Sequence, residues 1–139
     1  MNTETLLRVN TFSYEKIQTT IYNNSNGVAM QVAKEIADLL VENKKLKKRT
    51  VLGLATGNTP KKIYKELIKL HKEESLSFRN VISFNLDEYY PLKAGSNQSY
   101  KQYMYLNFYS HIDIEPSNCF IPKSDLAPGN IKQHYRFTL

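Results

Sequence analysis

One stretch constrains the fold more than any other: residues 50–67, which read TVLGLATGNTPKKIYKEL. The first five residues are short, apolar and partly β-branched, which predicts a buried strand. A turn of small residues follows, and apolar side chains spaced along one face from 63 to 71 then predict a helix. Thr59 suits the N-cap of that helix, and Pro60 suits its first position, where an N–H would be unpaired anyway. This order of strand, turn and helix indicates an α/β fold.

A second helix is predicted upstream of this unit. The cluster at 23–27 (NNSNG) is typical of a turn whose side chains can cap a helix. Val28, Val32, Ile36 and Leu40 then recur every four positions, with alanines beside them. We expect one apolar stripe on an amphipathic helix, preceded by a polar segment at 1–25 that shows no clear period.

Downstream, the alternation of short strands and helices continues. A buried strand is predicted at 81–84, a helix over 97–109 and a short strand at 119–121. We expect Tyr103, Leu106 and Tyr109 to face the core from this third helix. Helices that separate apolar strands favour a mostly parallel sheet covered on both faces. Only about three strands are predicted, so we expect the sheet to be incomplete in this chain.

Composition places the chain among ordinary globular proteins. Its 139 residues are 41% hydrophobic and 23% charged, which argues against disorder. The single cysteine, Cys119, cannot form an internal disulfide, and we expect it to be a small buried residue in a reducing compartment. The sequence contains no apolar run of about 18 residues and no secretory signal pattern. We therefore expect a cytoplasmic protein without a membrane partner.

The formal net charge of +6 favours anionic partners of some kind. Much of the excess lies in the segment 44–49, which reads KKLKKR. Cations suit the C-terminal end of a helix dipole, so a solvated helix end explains this cluster. A nucleic-acid patch is the alternative, but no aromatic residues that could stack on bases interleave with these lysines. We expect no nucleic-acid partner.

The turn after the strand at 50–54 is the first candidate binding site. Backbone N–H groups at the start of a helix favour an anion, and small residues let a phosphate approach closely. Thr56 and Thr59 add hydroxyl donors to this turn. The segment is neither a P-loop nor a GxGxxG fingerprint, because the lysine and the glycine spacing are missing. An ordinary strand-to-helix turn with a capping threonine remains an alternative.

Two adjacent acids, Asp87 and Glu88, follow the strand at 81–84 and form the second candidate site. The carboxyl ends of parallel strands share one edge of the sheet, where α/β proteins bind ligands. One carboxylate there can transfer a proton while the other is held by hydrogen bonds. A polar loop with a capping acid is the alternative. We expect no metal site, because two carboxylates without a third ligand bind a cation poorly.

Three ordered motifs together resemble the glucosamine-6-phosphate deaminase (isomerase) family. They are LGLATGNTPKKIYKEL at 52–67, SFRNVISFNLDEYYPL at 77–92 and NQSYKQYMYLNFYSHIDI at 97–114, and SNCFIP at 117–122 continues the likeness more weakly. The resemblance implies a Rossmann-like three-layer open sheet. It also implies conversion of glucosamine 6-phosphate and water to fructose 6-phosphate and ammonia, in amino sugar catabolism, with no cofactor or metal.

Carried over by position, the resemblance assigns roles to eight residues. Asp87 matches the general base that moves a proton between C2 and C1 of the sugar, and Glu88 and Tyr89 complete that motif. Tyr100 matches a tyrosine near the substrate. The phosphate-binding loop matches Thr56, Gly57, Asn58 and Thr59. The family often has glycine where this chain has Asn58, a residue that tolerates unusual backbone dihedrals.

The resemblance spans about residues 27–133. It leaves 1–26 as an N-terminal extension and 134–139 as an aberrant or truncated tail. The family's Gly-His-Ile segment, whose histidine assists ring opening, has no match here, so we expect this chain alone to be almost inactive. Full-length members form homo-oligomers, often hexamers. Two alternatives stay open: a 6-phosphogluconolactonase-like hydrolase, whose motif usually reads Asp-Glu-Arg, and a non-catalytic sugar-phosphate binder.

Overall fold

The computed structural model describes residues 8–12, 19–93 and 95–124, with side chains from residue 19 onward. No helix in these ranges is long and apolar enough to cross a membrane. The helices and strands, in chain order, are β1 (Arg8–Phe12), β2 (Thr19–Tyr22), α1 (Ser25–Lys45), β3 (Thr50–Leu54), α2 (Asn58–Glu74), β4 (Val81–Asn85), α3 (Tyr100–Asn107) and β5 (Cys119–Phe120).

A parallel sheet of three strands, in the order β3-β4-β5, forms the centre of the fold. The α/β class and the parallel pairing are confirmed. Successive strands are neighbours, so right-handed crossovers place α2 and α3 on the same face. Their contact confirms this, because the rings of Tyr64 and Phe108 stack with centroids 4.7 Å apart.

The described residues cover only one face of β3, whereas the sequence analysis predicted helices on both faces. Leu52 and Leu54 are buried in the core, but Val51 on the opposite face is 61% exposed. A Cβ added at Gly53 would meet no described atom within 4 Å. On the same open face, the rings of Phe84 and Phe120 stack across β4 and β5 with centroids 5.0 Å apart.

Helix α1 begins where its capping cluster predicted. The Asn24 side chain accepts hydrogen bonds from the backbone N–H groups of Asn26 and Gly27, at 3.0 and 2.9 Å. Its buried row differs from the predicted stripe, because Ala29 and Ala33 are buried while Val28 is 40% exposed. Small side chains allow α1 to pack closely on the rest of the fold. Ala29 and Ala33 therefore lie in the packed face of α1, and Val28 lies at the edge of that face.

Helix α2 begins two residues earlier than predicted, which corrects the capping assignment of Thr59 and Pro60. Asn58 is the first helical residue and Gly57 is the N-cap. Gly57 has a φ of 100°, a conformation that side chains strongly disfavour. The glycine therefore makes the sharp turn from strand to helix through its backbone, without a side-chain cap.

Helix α3 confirms one prediction and corrects another. The Ser99 hydroxyl accepts from the backbone N–H of Gln102 at 3.1 Å, and the helix begins at Tyr100, within the predicted range 97–109. The core row is Met104 and Phe108, both at most 1% exposed, whereas the predicted core residue Leu106 is 58% exposed. Phe108 determines which face of α3 turns toward the core. It lies just beyond the helix and packs against both Tyr64 and Phe78.

The N-terminal residues contain an antiparallel pair that the sequence analysis did not predict. β1 pairs with β2, with Phe12 opposite Thr19 and Arg8 opposite Tyr22. Both strands lie inside the predicted extension at 1–26. The predicted tail at 134–139, including His134, lies outside the described residues. The domain boundaries therefore stay predictions.

Candidate functional site

The candidate site is built on two neighbouring strand ends. Leu54 and Asn85 are register partners at the carboxyl ends of β3 and β4. The Asn85 side chain is buried and donates from Nδ2 to the Leu54 carbonyl oxygen at 2.9 Å. Its Oδ1 accepts from the Tyr109 hydroxyl at 3.1 Å. Asn85 thus ties the two strand ends together, and the turn at 55–57 and the acid Asp87 leave the sheet side by side.

Tyrosine hydroxyls hold the turn at 55–57 from two directions. Tyr64 of α2 donates to the Ala55 carbonyl oxygen at 2.5 Å. Tyr103 of α3 donates to the carbonyl oxygen of Gly57. The two bonds fix the Ala55–Thr56 and Gly57–Asn58 peptide groups, so the turn is held by two different helices.

The first turn of α2 supplies backbone donors at this edge of the sheet. Gly57, Asn58 and Thr59 are exposed, and Thr56 is half-buried. The first N–H groups of a helix have no acceptor within the helix, and the positive end of its dipole lies at the same place. This arrangement can bind an anion that approaches from solvent.

Tyr100 connects this turn with the second candidate segment. Its ring packs on that of Tyr89 with centroids 4.6 Å apart. The pKa of the Tyr100 hydroxyl is raised above its ordinary value, first by a hydrogen bond with Tyr89 and then by desolvation. The charge of Asp87 raises this pKa as well, while a hydrogen bond with Thr56 acts to lower it. The structure therefore brings Thr56, Asp87, Tyr89 and Tyr100 together.

Glu88 points in a different direction from its neighbour Asp87. Its Oε1 accepts from the backbone N–H groups of Tyr89 and Tyr100, at 2.9 and 2.7 Å, and its Oε2 accepts from that of Lys101 at 3.0 Å. A carboxylate at the N-terminus of a helix is stabilised by the dipole and by the free donors. Glu88 thus anchors α3 beside the turn, while the exposed Asp87 carboxylate is left accessible.

A cleft of about 610 Å³ opens beside these tyrosines. It is lined by Tyr89, Leu92, Asn97, Gln98, Ser99, Tyr100 and Tyr103.

Both histidines of the described ranges and the single cysteine have structural partners. His71 Nδ1 lies 2.6 Å from the Leu76 carbonyl oxygen, and His111 Nε2 lies 3.0 Å from that of Leu106. Cys119 is half-buried, and burial raises the pKa of its thiol. Within the described ranges, no three His, Cys, Asp or Glu side chains are grouped so that they could hold a metal ion.

Three residues that shape the site were not assigned a role there from the sequence: Asn85, Tyr64 and Tyr103. Asn85 had a usable signal, because it is a polar residue at an inward position of the alternating pattern Val81, Ser83, Asn85. The tyrosines were expected on the helix faces, but no local pattern shows that a hydroxyl reaches a carbonyl in another element.

Comparison with known proteins agrees with the motifs. The family model described as glucosamine-6-phosphate isomerases/6-phosphogluconolactonase matches residues 23–139. A glucosamine-6-phosphate deaminase of Treponema denticola is 48% identical over 102 residues, which is 73% of this chain and 38% of that protein. The chain thus spans less than half the length of this curated relative.

Solved structures give the same result. A monomeric glucosamine-6-phosphate deaminase superposes with a TM-score of 0.74 at 38% identity, covering 81% of this chain and 45% of that one. A 6-phosphogluconolactonase of Thermotoga maritima has a TM-score of 0.63 at 18% identity, covering 78% and 48%, and at that identity it shows only a shared fold. The chain belongs to the family of glucosamine-6-phosphate isomerases and 6-phosphogluconolactonases.

Proposed function

We propose that this chain binds glucosamine 6-phosphate and supplies the proton-transfer carboxylate of glucosamine-6-phosphate deaminase. The phosphate lies on the turn and first helical residues, against Thr56, Gly57, Asn58 and Thr59. The exposed Asp87 carboxylate faces C1 and C2 of the sugar. The observation that carries this proposal is the pairing of the two strand ends, with Tyr100 in contact with both loops.

The proposed reaction converts glucosamine 6-phosphate and water to fructose 6-phosphate and ammonia, so it is a hydrolytic step of amino sugar catabolism. Asp87 accepts a proton from C2 of the opened sugar and returns it to C1 while an N–H proton moves to O1, so the C1 aldehyde becomes an alcohol and the C2 amine becomes an imine. Water then adds to C2 and ammonia leaves, which gives the C2 ketone of fructose 6-phosphate. A phosphate held at the far end of the sugar keeps both carbons against the carboxylate, and such positioning lowers the barrier. Tyr89 and Tyr100 line the sugar, and Glu88 contributes by anchoring α3.

Two observations favour deaminase activity over 6-phosphogluconolactonase activity. Relatives that are 46–49% identical to this chain are named glucosamine-6-phosphate deaminase, while the lactonases among the solved structures are 18% identical. The motif after β4 reads Asp87-Glu88-Tyr89, in which a tyrosine replaces the arginine usual in lactonases. Ammonia release, measured against lactone hydrolysis, separates the two activities.

Titration calorimetry with glucosamine 6-phosphate tests the binding half of the proposal. We expect saturable binding that weakens about 3- to 10-fold in Thr56→Val and Thr59→Val, because each loses a hydroxyl donor to the phosphate. Thr20→Val, in β2, is the matched control and should bind normally. Binding that is absent from the wild-type chain, or is the same in all four proteins, would contradict the proposal.

Ammonia release tests the catalytic half. We expect that any turnover by the chain is abolished in Asp87→Asn while binding of glucosamine 6-phosphate persists, because the amide cannot accept the C2 proton. Turnover in the wild-type chain would exclude the non-catalytic sugar-phosphate binder. Undiminished turnover in Asp87→Asn would refute the role of that carboxylate.

We further propose that the protein works in the cytoplasm, where sugar phosphates and a free Cys119 thiol are both expected. The oligomeric state within the family is not uniform, because the similar deaminase of known structure is a monomer. Light scattering on the purified chain would measure its own state.

A further inference from the structure

Two tyrosines on one face of α3 contact consecutive residues of the turn. Tyr100 and Tyr103 are three positions apart, so their side chains lie one above the other on the helix. Thr56 acts to lower the pKa of the Tyr100 hydroxyl, so the two side chains lie close together, and Tyr103 donates to the carbonyl oxygen of Gly57. From α2, the buried Tyr64 donates to the Ala55 carbonyl oxygen.

These contacts fix the direction of the backbone donors in the turn. A trans peptide group is planar, and its C=O and N–H point in opposite directions. The Gly57 carbonyl shares its peptide group with the N–H of Asn58, and the Ala55 carbonyl shares its group with the N–H of Thr56. A hydroxyl that holds either carbonyl toward a helix therefore holds the paired N–H away from that helix.

Fixing the Gly57 peptide matters because glycine has no Cβ and leaves the backbone on both sides of its Cα unusually free. Glycine populates positive and negative φ about equally, and Gly57 has a φ of 100° in this structure. Without a partner for its carbonyl, the peptide group between Gly57 and Asn58 can rotate and take the N–H of Asn58 out of the anion site. A bound anion would then have to select one of several turn conformations, which weakens its binding.

We propose that Tyr103 is a positioning residue for the anion-binding turn: its hydroxyl holds the Gly57 carbonyl so that the N–H of Asn58 points at the phosphate. This inference rests on the proposed function, which makes the turn the phosphate site. It adds a residue outside the turn whose action passes through the backbone. Tyr64 performs the same task for the N–H of Thr56.

The surroundings of Tyr103 keep its hydroxyl a reliable donor. The ring is half-buried, and the Lys61 Nζ lies 5.4 Å from its centroid, which favours one ring position through a cation–π contact. Burial raises the pKa of the hydroxyl, so it stays protonated at neutral pH. Tyr103→Phe therefore removes the hydrogen bond alone, because the ring and its contact with Lys61 are kept.

The test compares Tyr103→Phe with Tyr105→Phe, a control on the same helix whose side chain is 56% exposed. Inorganic phosphate is titrated into each 15N-labelled protein, and the amide signals of Thr56 and Asn58 are followed by NMR. We expect the Kd for phosphate to rise about 3- to 10-fold in Tyr103→Phe and to stay within twofold in Tyr105→Phe. The Asn58 amide signal should also shift in the free Tyr103→Phe protein, since the peptide group loses its fixed direction.

The outcomes separate this inference from the proposed function. If the wild-type protein binds phosphate at the turn but Tyr103→Phe binds it equally well, the positioning role is wrong and the proposed function stands. If the wild-type protein shows no saturable binding at the turn, the proposed function fails and the inference fails with it. A lower melting temperature of Tyr103→Phe, with an unchanged Kd and an unchanged Asn58 signal, would show a merely structural role.

Discussion

Replacing Asn85 with leucine tests whether one buried amide holds the two strand ends together. The side chain is 6% exposed, donates to the Leu54 carbonyl and accepts from the Tyr109 hydroxyl. Leucine has the same branched shape and is somewhat larger, so Asn85→Leu removes both hydrogen bonds and leaves no cavity. The Leu54 carbonyl and the Tyr109 hydroxyl are left short of a partner in the interior.

The magnitude follows from these two bonds. Each hydrogen bond contributes about 0.5–1.5 kcal/mol, and a buried polar group left unpaired adds its own desolvation cost. Tyr109 is a buried phenol whose pKa is raised to about 12 by burial, but it retains its contact with Ser83 at 2.9 Å. We therefore expect Asn85→Leu to lower the free energy of unfolding by about 2–3 kcal/mol.

Urea unfolding followed by circular dichroism measures this difference. With m about 1–3 kcal/mol/M, the urea midpoint should fall by about 0.7–3 M. Leu86→Ala is the matched control, because the neighbouring Leu86 is 91% exposed and its truncation should cost less than about 0.5 kcal/mol. A change in Asn85→Leu no larger than in this control would refute the claim that the amide holds the strand ends.

A double-mutant cycle tests the hydrogen bond between Asn85 and Tyr109 directly. Tyr109→Phe alone should cost about 1 kcal/mol, since it loses its bonds to Asn85 and Ser83. Combining it with Asn85→Leu should cost less than the sum of the two changes, because the shared hydrogen bond is lost only once. Strict additivity would show that the two side chains do not interact in solution.

Two further predictions concern the core and the acid stability. Phe108→Ala should lower the free energy of unfolding by about 3–5 kcal/mol, because Phe108 is 1% exposed, whereas Leu106→Ala should cost less than about 0.5 kcal/mol, as urea unfolding would show. For Asp113, burial acts to raise the pKa, but hydrogen bonds from the Phe78 backbone N–H and the Ser77 hydroxyl, with the His71 charge, bring the pKa below its ordinary 3.8. The ionised Asp113 carboxylate therefore stabilises the folded state above about pH 3.8, and this stabilisation is lost as the pH falls through the lower pKa of the folded state. Asp113→Asn should be about 1 kcal/mol less stable than the wild type at pH 7, and the gap should narrow below about pH 4 in pH-dependent melting curves. A gap that is unchanged at low pH would contradict this assignment.

The order of elements around the site followed from local patterns. The segment at 50–67 contains a β-branched apolar run and then apolar residues at helical spacing, and the structure forms β3 and α2 there. Such signals are readable because the period of side chains along a strand or a helix depends only on local backbone geometry. The placement of the turn and Asp87 at one edge of the sheet was also predictable, because the carboxyl ends of parallel strands share one edge.

The first residue of α2 and the core-facing residues of α3 were less predictable from the sequence. Thr59 and Pro60 had good capping propensity, but the helix began at Asn58 because Gly57 could adopt a positive φ. Leu106 had the more apolar side chain, yet Met104 and Phe108 entered the core. The choice depends on what packs opposite α3, and that information lies in other segments of the chain.

The sequence by itself determined the α/β class, the family resemblance, and the presence of a small-residue turn and an acidic pair beyond two strands, because these depend on local residue order. Only the tertiary structure decided what holds them. The Asn85 amide across the strand ends, the Tyr103 hydroxyl on Gly57 and the Glu88 carboxylate under α3 join residues 12 to 46 positions apart. The physical reason is that a hydrogen bond needs a donor and an acceptor at one point in space, and the packing of distant elements sets that point.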